Sequence, residues 1–276
     1  MHRERILITV KTYPVPSRTY SELVCTGGIR EDGSWVRIYP APLRFFNDQA
    51  KYAKYQWIEI DLQKNPKDHR PESYIPTNMD AIVLGDIVKP QDDWQQRRQL
   101  ILNQNRIYTN LNEIIKLAHD NKISMAIFKP TKIIDFIAEP APREWDIDRV
   151  TAALAAKAQG SLFDDFDDDL DKLMPKVPYK FRYIFEDNEG KRSSLMIEDW
   201  ETGQLYWNCL RRAENNEQIA VKKVREKYFD EFLKKKDLYF FLGTTFQFHQ
   251  MKSRNPYVII GTFHPPRQVQ LDLFAR

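Results

Sequence analysis

The stretch Cys25-Thr-Gly-Gly-Ile-Arg-Glu-Asp-Gly-Ser-Trp-Val-Arg-Ile-Tyr-Pro40 contains a β-hairpin whose turn and second strand can be read directly. Asp-Gly at residues 32–33 is the strongest short-range signal for a hairpin turn, because these residues accept the positive φ angles that such turns need. Residues 35–39 then alternate with period two, placing Trp35, Arg37 and Tyr39 on one face and Val36 and Ile38 on the other. The pattern predicts a β-rich N-terminal fold built around this hairpin.

Further strands are predicted on both sides of the hairpin, at residues 6–11, 22–26, 55–62 and 81–88. Each is a short apolar run bounded by Pro, Gly or polar residues. Apolar side chains at helical spacing predict helices at 92–103 and 109–120, and strand character returns at 124–128 and 132–138. The sequence therefore predicts an α+β protein whose residues 1–158 form a β-rich domain with inserted helices.

A smaller α+β unit is predicted at residues 178–266, after an acidic linker at 159–177 and before a tail at 267–276. Strands at 179–186 and 191–198 form a hairpin across Asp-Asn-Glu-Gly. Helices are predicted at 199–212 and 217–235, and two closing strands at 239–248 and 257–264.

The hairpin stretch resembles the start of the dual OB-containing domains found beside bacterial DNA-processing genes. Those domains also combine a cysteine-glycine strand, a turn and a Trp-hydrophobic-Arg segment, as Cys25–Arg37 does here. The resemblance covers residues 1–60. It implies an OB-like small barrel at the N-terminus, with a strand face that handles nucleic acid.

Basic and aromatic side chains interleave in and beside the predicted barrel strands. Aromatic rings can stack on bases while Lys and Arg pair with phosphates, so the set predicts a nucleic-acid surface. Tyrosines at the edge of the core and solvated arginines are the structural alternative. The candidate nucleic-acid-binding residues are Lys11, Tyr13, Arg18, Tyr20, Arg37, Tyr39, Arg44, Lys54 and Arg70, the last in a polar loop where it could hold a phosphate.

Three carboxylates, Glu198, Asp199 and Glu201, follow the predicted hairpin of the second unit. Paired carboxylates at a strand end can bind Mg²⁺ or Mn²⁺ for phosphodiester cleavage, which makes them candidate catalytic residues. A nuclease would also need a lysine on the strand, and the usual acid, then acid-x-Lys order is absent. The alternative is that Asp199 caps the following helix.

The C-terminal residues Gln270-Leu271-Asp272-Leu273-Phe274 resemble the clamp-binding peptide of bacterial DNA polymerases and repair factors. In that family Gln and a Leu-Phe pair dock on the replication sliding clamp. Leu271, Leu273 and Phe274 would fill an apolar groove, and Gln270 would fix the register by hydrogen bonds. At average composition the motif arises on the order of once in a hundred thousand positions. The alternative is a final β-strand.

A looser copy of the same peptide lies in the predicted linker, where Gln159, Leu162 and Phe163 resemble its Q-x-x-L-F form. Sliding clamps are rings with more than one identical groove, so both peptides could engage one ring. The alternative is a helix end capped by Gly160 before a solvated acidic loop.

Charge and composition favour a cytosolic protein with a mildly basic body. The chain has 276 residues and a net charge of +3, and residues 164–171 alone carry six Asp, so the rest of the chain stands near +9. A basic body is compatible with phosphate contacts. The two cysteines are far apart, so no structural zinc site is expected, and no run approaches the roughly 20 apolar residues of a membrane span.

Together these features predict a cytoplasmic DNA-binding protein of replication, repair or phage defence, recruited by the sliding clamp. A DNA-processing enzyme is the first alternative, either a nuclease using Mg²⁺ or Mn²⁺ or a base-excising glycosylase acting on flipped bases. A non-catalytic adaptor or clamp regulator is the second. DNA and the clamp are the expected partners, with no membrane and no certain cofactor.

The tail interpretation makes a direct prediction. Replacing both Leu273→Ala and Phe274→Ala should abolish clamp binding without changing the fold, since each anchor is worth about 2 kcal/mol or more when it fills a desolvated pocket. Calorimetric titration of the clamp measures the loss, and thermal unfolding provides the control. A double variant that loses several degrees of melting temperature identifies the tail as a core strand instead.

Overall fold

The computed structural model describes residues 2–17, 21–41, 52–78, 81–148, 150–151 and 174–267. Within them the protein is a mixed α+β fold whose N-terminal part is a closed five-stranded barrel. No helix of the described residues is both long and apolar enough to cross a membrane.

The barrel strands are β1 (His2–Lys11), β3 (Ser21–Arg30), β4 (Trp35–Ala41), β5 (Gln56–Lys64) and β6 (Ser73–Pro76). They pair in the order β1-β3-β4-β6-β5, and β5 pairs back to β1, which closes the ring. All pairings are antiparallel except β4 with β6, which is parallel. Two further strands extend the sheet outside the ring: β2 (Val15–Ser17) on β3 and β7 (Val83–Ile87) on β5.

The β3–β4 hairpin has the alternation that the sequence predicts. Val36 and Ile38 are buried inside the barrel with Ile6, Ile8, Ile58 and Ile60. Trp35 points the other way and packs edge-on against Phe241 of the second unit, with ring centroids 5.5 Å apart. At the turn, Gly33 has φ +85° and lies where a Cβ would stand 2.3 Å from the carbonyl oxygen of Gln104, so the position requires glycine.

A helical segment, α1, follows the barrel and leads into the second unit. It comprises the 3₁₀ turn Asp92–Trp94, the α-turn Gln95–Arg98 and the π-turn Gln99–Asn103, in agreement with the predicted helix. Helix α2 (Leu111–His119) also confirms its prediction, and Asn110 caps it by accepting a hydrogen bond from the amide of Glu113.

The second unit contains strands β8 (Ile107–Tyr108), β9 (Met125–Phe128), β10 (Lys132–Pro140), β11 (Tyr179–Glu186), β12 (Arg192–Met196), β13 (Tyr239–Thr244) and β14 (Tyr257–Phe263). Its helices are α3 (Trp200–Arg212), α4 (Glu217–Arg225, continued by the π-turn Glu226–Glu231 and the turn Phe232–Lys235) and α5 (Phe246–Gln250). The predicted strand at 239–248 ends earlier than expected, because Thr245 accepts a hydrogen bond from the amide of Phe248 and starts α5.

Strand pairing in the second unit repeats the order of the barrel. Strand β10 pairs with β11 and β11 with β12, and Ile197, just after β12, forms a parallel bridge to Ile259 of β14. Strand β14 pairs with β13, and β13 returns to β9, which leads directly into β10. Strands β9 and β10, within residues 125–140, therefore pair with strands that follow residue 178.

The outer face of the barrel packs against the sheet of the second unit. Leu7, Val10 and Trp57 from the barrel share one buried cluster with Phe241 and Ile260. Beside this cluster Arg37 is only 2% exposed. Its guanidinium donates to the hydroxyl of Ser124 (2.8 Å) and to the carbonyl oxygens of Ser124 (3.3 Å) and Thr244 (3.5 Å), both on the second unit. Apolar packing and buried hydrogen bonds thus join the two units into one body.

The buried guanidinium generates a stability prediction. Arg37→Ala should lower the free energy of unfolding by roughly 3 kcal/mol, because it leaves buried acceptors without their donor. Urea unfolding measures the change. The exposed Arg254→Ala is the matched control and should stay within about 0.5 kcal/mol of wild type. Equal stability of the two variants would show that this network does not hold the units together.

Candidate functional site

A cleft of about 670 Å³ lies along the seam between the barrel and the second unit. The barrel contributes the β1–β3 connection, the neighbouring faces of β3 and β4, and the β5–β6 connection. The second unit contributes the start of β11, the β12–α3 junction, the β13–α5 junction and β14. Barrel residues that line the cleft include Tyr13, Cys25, Arg37, Tyr39, Asn65, Lys67, Asp68 and Arg70.

Two arginines stand at the barrel side of the cleft, and both are already engaged by the protein. Arg70 is 7% exposed and its Nε and Nη2 donate to the carboxylate of Asp68 at 2.8 and 2.6 Å. Burial alone would raise the pKa of Asp68, but the Arg70 guanidinium and the Ser73 hydroxyl outweigh it and lower this pKa to about 2. Burial, with the neighbouring charge of Arg70, lowers the pKa of Arg37.

The exposed part of the cleft combines apolar and aromatic walls with lysines. The rings of Tyr39, Trp145 and Phe246 line it, and Phe246 is 39% exposed. Lys67 and Lys180 are exposed at its rim. Lys176 lies 5.4 Å from the centre of the Trp145 ring. Rings beside ammonium groups are the arrangement that binds bases and phosphates of a single strand.

Tyr13 docks the β1–β3 connection on helix α3. Its hydroxyl donates to the carbonyl oxygen of Pro175 (2.6 Å) and accepts from the indole N–H of Trp207 (2.8 Å). A Cβ at Gly203 would stand 2.3 Å from the Tyr13 ring, so only glycine lets the ring lie on the helix. Tyr13 therefore fixes one wall of the cleft, and its ring is a packed contact.

The three candidate catalytic carboxylates take different roles. Asp199 caps α3 by accepting a hydrogen bond from the amide of Glu201 (3.3 Å), and its Oδ2 has no hydrogen-bond partner within the described part of the chain. Burial raises the pKa of Glu198. Burial, opposed by the charge of Lys54, raises the pKa of Asp199 to about 7. Glu198 and Asp199 line the cleft, whereas Glu201 does not.

Glu201 faces a second, smaller cleft of about 400 Å³ on the other side of the α3 N-terminus. There its carboxylate accepts a hydrogen bond from Lys54 Nζ at 2.5 Å. Lys11 and Lys227 complete the basic lining. Burial, partly offset by the charge of Glu201, lowers the pKa of Lys11 to about 8. The predicted basic residues are therefore divided between two clefts.

No three His, Cys, Asp or Glu side chains of the described ranges form a group that could hold a metal ion. The reason is visible at the predicted trio, where Asp199 is occupied as a helix cap and Glu201 as the partner of Lys54. The residues in place thus do not fit the Mg²⁺ or Mn²⁺ site that a nuclease of this kind would need.

Several predicted residues fall outside the described part of the chain: Arg18, Tyr20 and Arg44 of the nucleic-acid set, and the clamp-peptide residues Gln159, Leu162, Phe163, Gln270, Leu271, Leu273 and Phe274. Of the remaining nucleic-acid set, Tyr13, Arg37, Tyr39 and Arg70 meet at the larger cleft, and Lys11 and Lys54 at the smaller one.

Sequence reasoning missed the second wall of the larger cleft. Trp145, Lys180 and Phe246 are distant from the hairpin in sequence and carry no motif. A partial signal exists for Phe246, since two phenylalanines on the short exposed helix α5 are unusual, and Phe248 is also 45% exposed.

Residues 108–276 match the family model of a domain of unknown function (DUF8757), which covers more than half of the chain, so the protein belongs to that family. Residues 2–103 match a second domain of unknown function (DUF8758). The division between the two models, at residues 103–108, falls between the end of α1 and the start of β8. No curated protein matches the chain.

The buried Asp199 generates a pH prediction. Because its pKa is raised from 3.8 in the unfolded chain to about 7, the folded protein holds a proton that the unfolded chain releases. Its contribution to stability is therefore full below pH 4 and declines as the pH rises through 7. In the wild type the free energy of unfolding should fall by up to about 1.4 kcal/mol per pH unit between these two pKa values. Asp199→Asn, which keeps the helix cap, should not show this fall. Urea unfolding from pH 4 to 8 measures it, and parallel curves for the two proteins contradict it.

Proposed function

We propose that this protein binds DNA in the larger cleft and is brought to replicating or repaired DNA by its clamp-binding tail. The main support is the set of barrel elements that line the cleft. They are the two neighbouring strands β3 and β4 of the barrel and the loops after its first and fourth strands. In OB barrels this face and these loops bind oligonucleotides.

The strand arrangement supports an OB-type barrel. OB folds are five-stranded Greek-key barrels. Here the first barrel strand, β1, pairs with both the second and the fourth, and the third runs parallel to the fifth. The same order of pairing in the second unit, including the parallel bridge Ile197–Ile259, supports two OB-type units side by side.

The chemistry of the cleft supports a single-stranded or unstacked ligand. Stacking on an aromatic ring contributes about 1–3 kcal/mol per base and requires that the base be free of its duplex neighbours. Tyr39, Trp145 and Phe246 offer such rings, and Lys67 and Lys180 supply positive charge at the rim for neighbouring phosphates. Arg37 and Arg70 already form hydrogen bonds with protein partners and so serve to shape the site.

The course of the chain at its C-terminal end supports clamp recruitment. Arg267 is anchored to the body, with its Nη2 donating to the carbonyl oxygen of Leu233 (2.6 Å) and its Nε to that of Lys236 (3.1 Å). The clamp-like peptide begins shortly after this anchor, at Gln270.

A base-excising enzyme is the second candidate, and the raised pKa of Asp199 is the observation that favours it. A carboxyl with a pKa of about 7 can exchange protons at neutral pH, as a general acid or base must. Incubation with base-modified DNA, scored for abasic sites and strand breaks, separates this enzyme from a non-catalytic DNA-binding adaptor. Asp199→Asn should abolish any abasic-site formation.

The DNA-binding proposal predicts a charge effect confined to the cleft. Lys67→Glu with Lys180→Glu should weaken binding of a fluorescent single-stranded oligonucleotide by at least tenfold, and should flatten its salt dependence, because each lost phosphate contact removes released counterions. Anisotropy titrations over a range of salt concentrations measure both effects.

Lys122→Glu with Lys132→Glu is the matched control, with the same charge change on exposed lysines away from the cleft. A second matched pair lies on α5, where Phe246→Ala removes a ring from the cleft and Phe248→Ala an equally exposed ring outside it. Equal losses within either pair would move DNA binding away from the cleft.

A further inference from the structure

Three residues that line the cleft have a buried side-chain oxygen without a hydrogen bond. Asp199, Thr202 and Thr244 are 3%, 2% and 4% exposed. Among the residues that the structure describes, Asp199 Oδ2, Thr202 Oγ1 and Thr244 Oγ1 have no hydrogen-bond partner. Burying a polar oxygen without a partner is costly, and such atoms are uncommon in folded proteins. Three of them among the residues of one cleft indicate a ligand that supplies missing hydrogen bonds.

Asp199 and Thr202 lie together at the start of α3, so Asp199 Oδ2 and Thr244 Oγ1 are the two that come from opposite sides of the β14 strand region. Asp199 follows β12 and begins α3, whereas Thr244 ends β13. Between them the surface is apolar and is formed by Met196, Ile197, Val258 and Ile260. An apolar floor with a polar atom at each side suits a flat ring with polar groups on its edge.

The volume and the walls fit a single unstacked base. The cleft measures about 670 Å³, within the range of about 300–1,000 Å³ in which proteins bury small ligands. Tyr39, Trp145 and Phe246 offer faces for stacking, and a base taken out of its stack is commonly held between aromatic or apolar side chains and read along its edge.

We propose that the cleft receives one unstacked DNA base and selects bases that carry an exocyclic amino group, with Asp199 accepting the amino hydrogen and Thr244 completing the edge contact. This rests on the proposed DNA binding and names the part of the DNA that the cleft reads. Above its pKa of about 7 the Asp199 carboxylate only accepts hydrogen bonds, so at about pH 8.5 it favours an amino group over a carbonyl oxygen at the same ring position.

The location of the neighbouring charges supports this role for Asp199. Lys54 donates to Glu201 and to the carbonyl oxygen of Thr262 (3.4 Å), and both it and Glu201 face the smaller cleft. Asp199 lines both clefts, so its carboxylate stands at the wall that separates the Lys54–Glu201 pair from the larger cleft. A base amino group in the larger cleft would give the free oxygen its partner.

The test uses bases that differ along this edge. Short single-stranded oligothymidylates are prepared with one central cytosine or uracil, and a second pair with one central adenine or hypoxanthine, and are titrated at about pH 8.5, where Asp199 is ionised. In each pair an amino group replaces a carbonyl oxygen, and the adjacent ring nitrogen accepts a hydrogen bond where that of its counterpart donates one. Wild type should bind the amino member roughly ten- to a hundredfold more tightly, the value of one hydrogen bond to a charged group.

Asp199→Asn should reduce this preference to near one and should tighten binding of the uracil oligonucleotide, because an amide can donate to a carbonyl as well as accept from an amine. Thr244→Val is nearly isosteric and should weaken the preference while keeping or raising the melting temperature, since it removes an unpaired buried hydroxyl. If Asp199→Asn does not fold, Thr244→Val provides the same test. The exposed Asp86→Asn is the control and should keep the full preference.

The outcomes separate the two levels of the proposal. Equal affinity for both members of each pair, or a preference that Asp199→Asn leaves intact, overturns base selection while DNA binding stands. No binding of any oligonucleotide overturns DNA binding itself.

Deoxycytidine monophosphate and deoxyuridine monophosphate are titrated as competitors. Displacement of the oligonucleotide by either at equal molar concentration would assign the cleft to free nucleotides and overturn DNA as the source of the base.

Discussion

The buried guanidinium of Arg37 is the interaction on which the rest of the structure depends. It leaves the barrel on the face opposite Val36 and Ile38 and forms hydrogen bonds with Ser124 and Thr244 across the seam. Glu72 joins the same network, accepting from the amide of Ser124 at 3.0 Å. Because a buried cation needs several fixed acceptors, this network allows one arrangement of the two units. The shared apolar cluster beside it supplies most of the stabilisation.

The cleft is a consequence of that arrangement. The curved barrel and the second unit pack closely only along part of their faces, and the loops at the ends of their strands leave a gap beside the contact. The gap is bordered by rigid elements, since Arg70 is held by Asp68 and Tyr13 is packed on Gly203. Rigid walls preserve the position of the aromatic rings and lysines, so the cleft is preformed. The same packing buries Asp199 and Thr244 and accounts for their unpaired oxygens.

Residue types suggested which side chains could form a binding surface, but not the role of each residue. Tyr13 and Tyr39 were candidates because basic and aromatic residues interleave, and Arg70 because a polar loop could place it to hold a phosphate. The structure brings all three to one cleft. Arg37 looked the same in sequence, yet it is buried in the seam, because alternation reveals which residues share a face but not what covers that face. The carboxylates near residue 199 looked like a metal site, yet helix capping and pairing with Lys54 separate them.

The sequence by itself determined local elements: the Asp32-Gly33 turn, the alternating strand after it and the Asp199 cap of α3. These depend on neighbours within a few residues, whose φ angles, periodicity and capping are fixed by residue type. Only the tertiary structure decided that residues 125–140 pair with C-terminal strands, that the barrel closes between β1 and β5, and that Phe246 faces Tyr39 across one cleft. Each of these contacts is between residues that are far apart in the chain. They form because the fold buries two sheet faces at once, and no local sequence pattern encodes that.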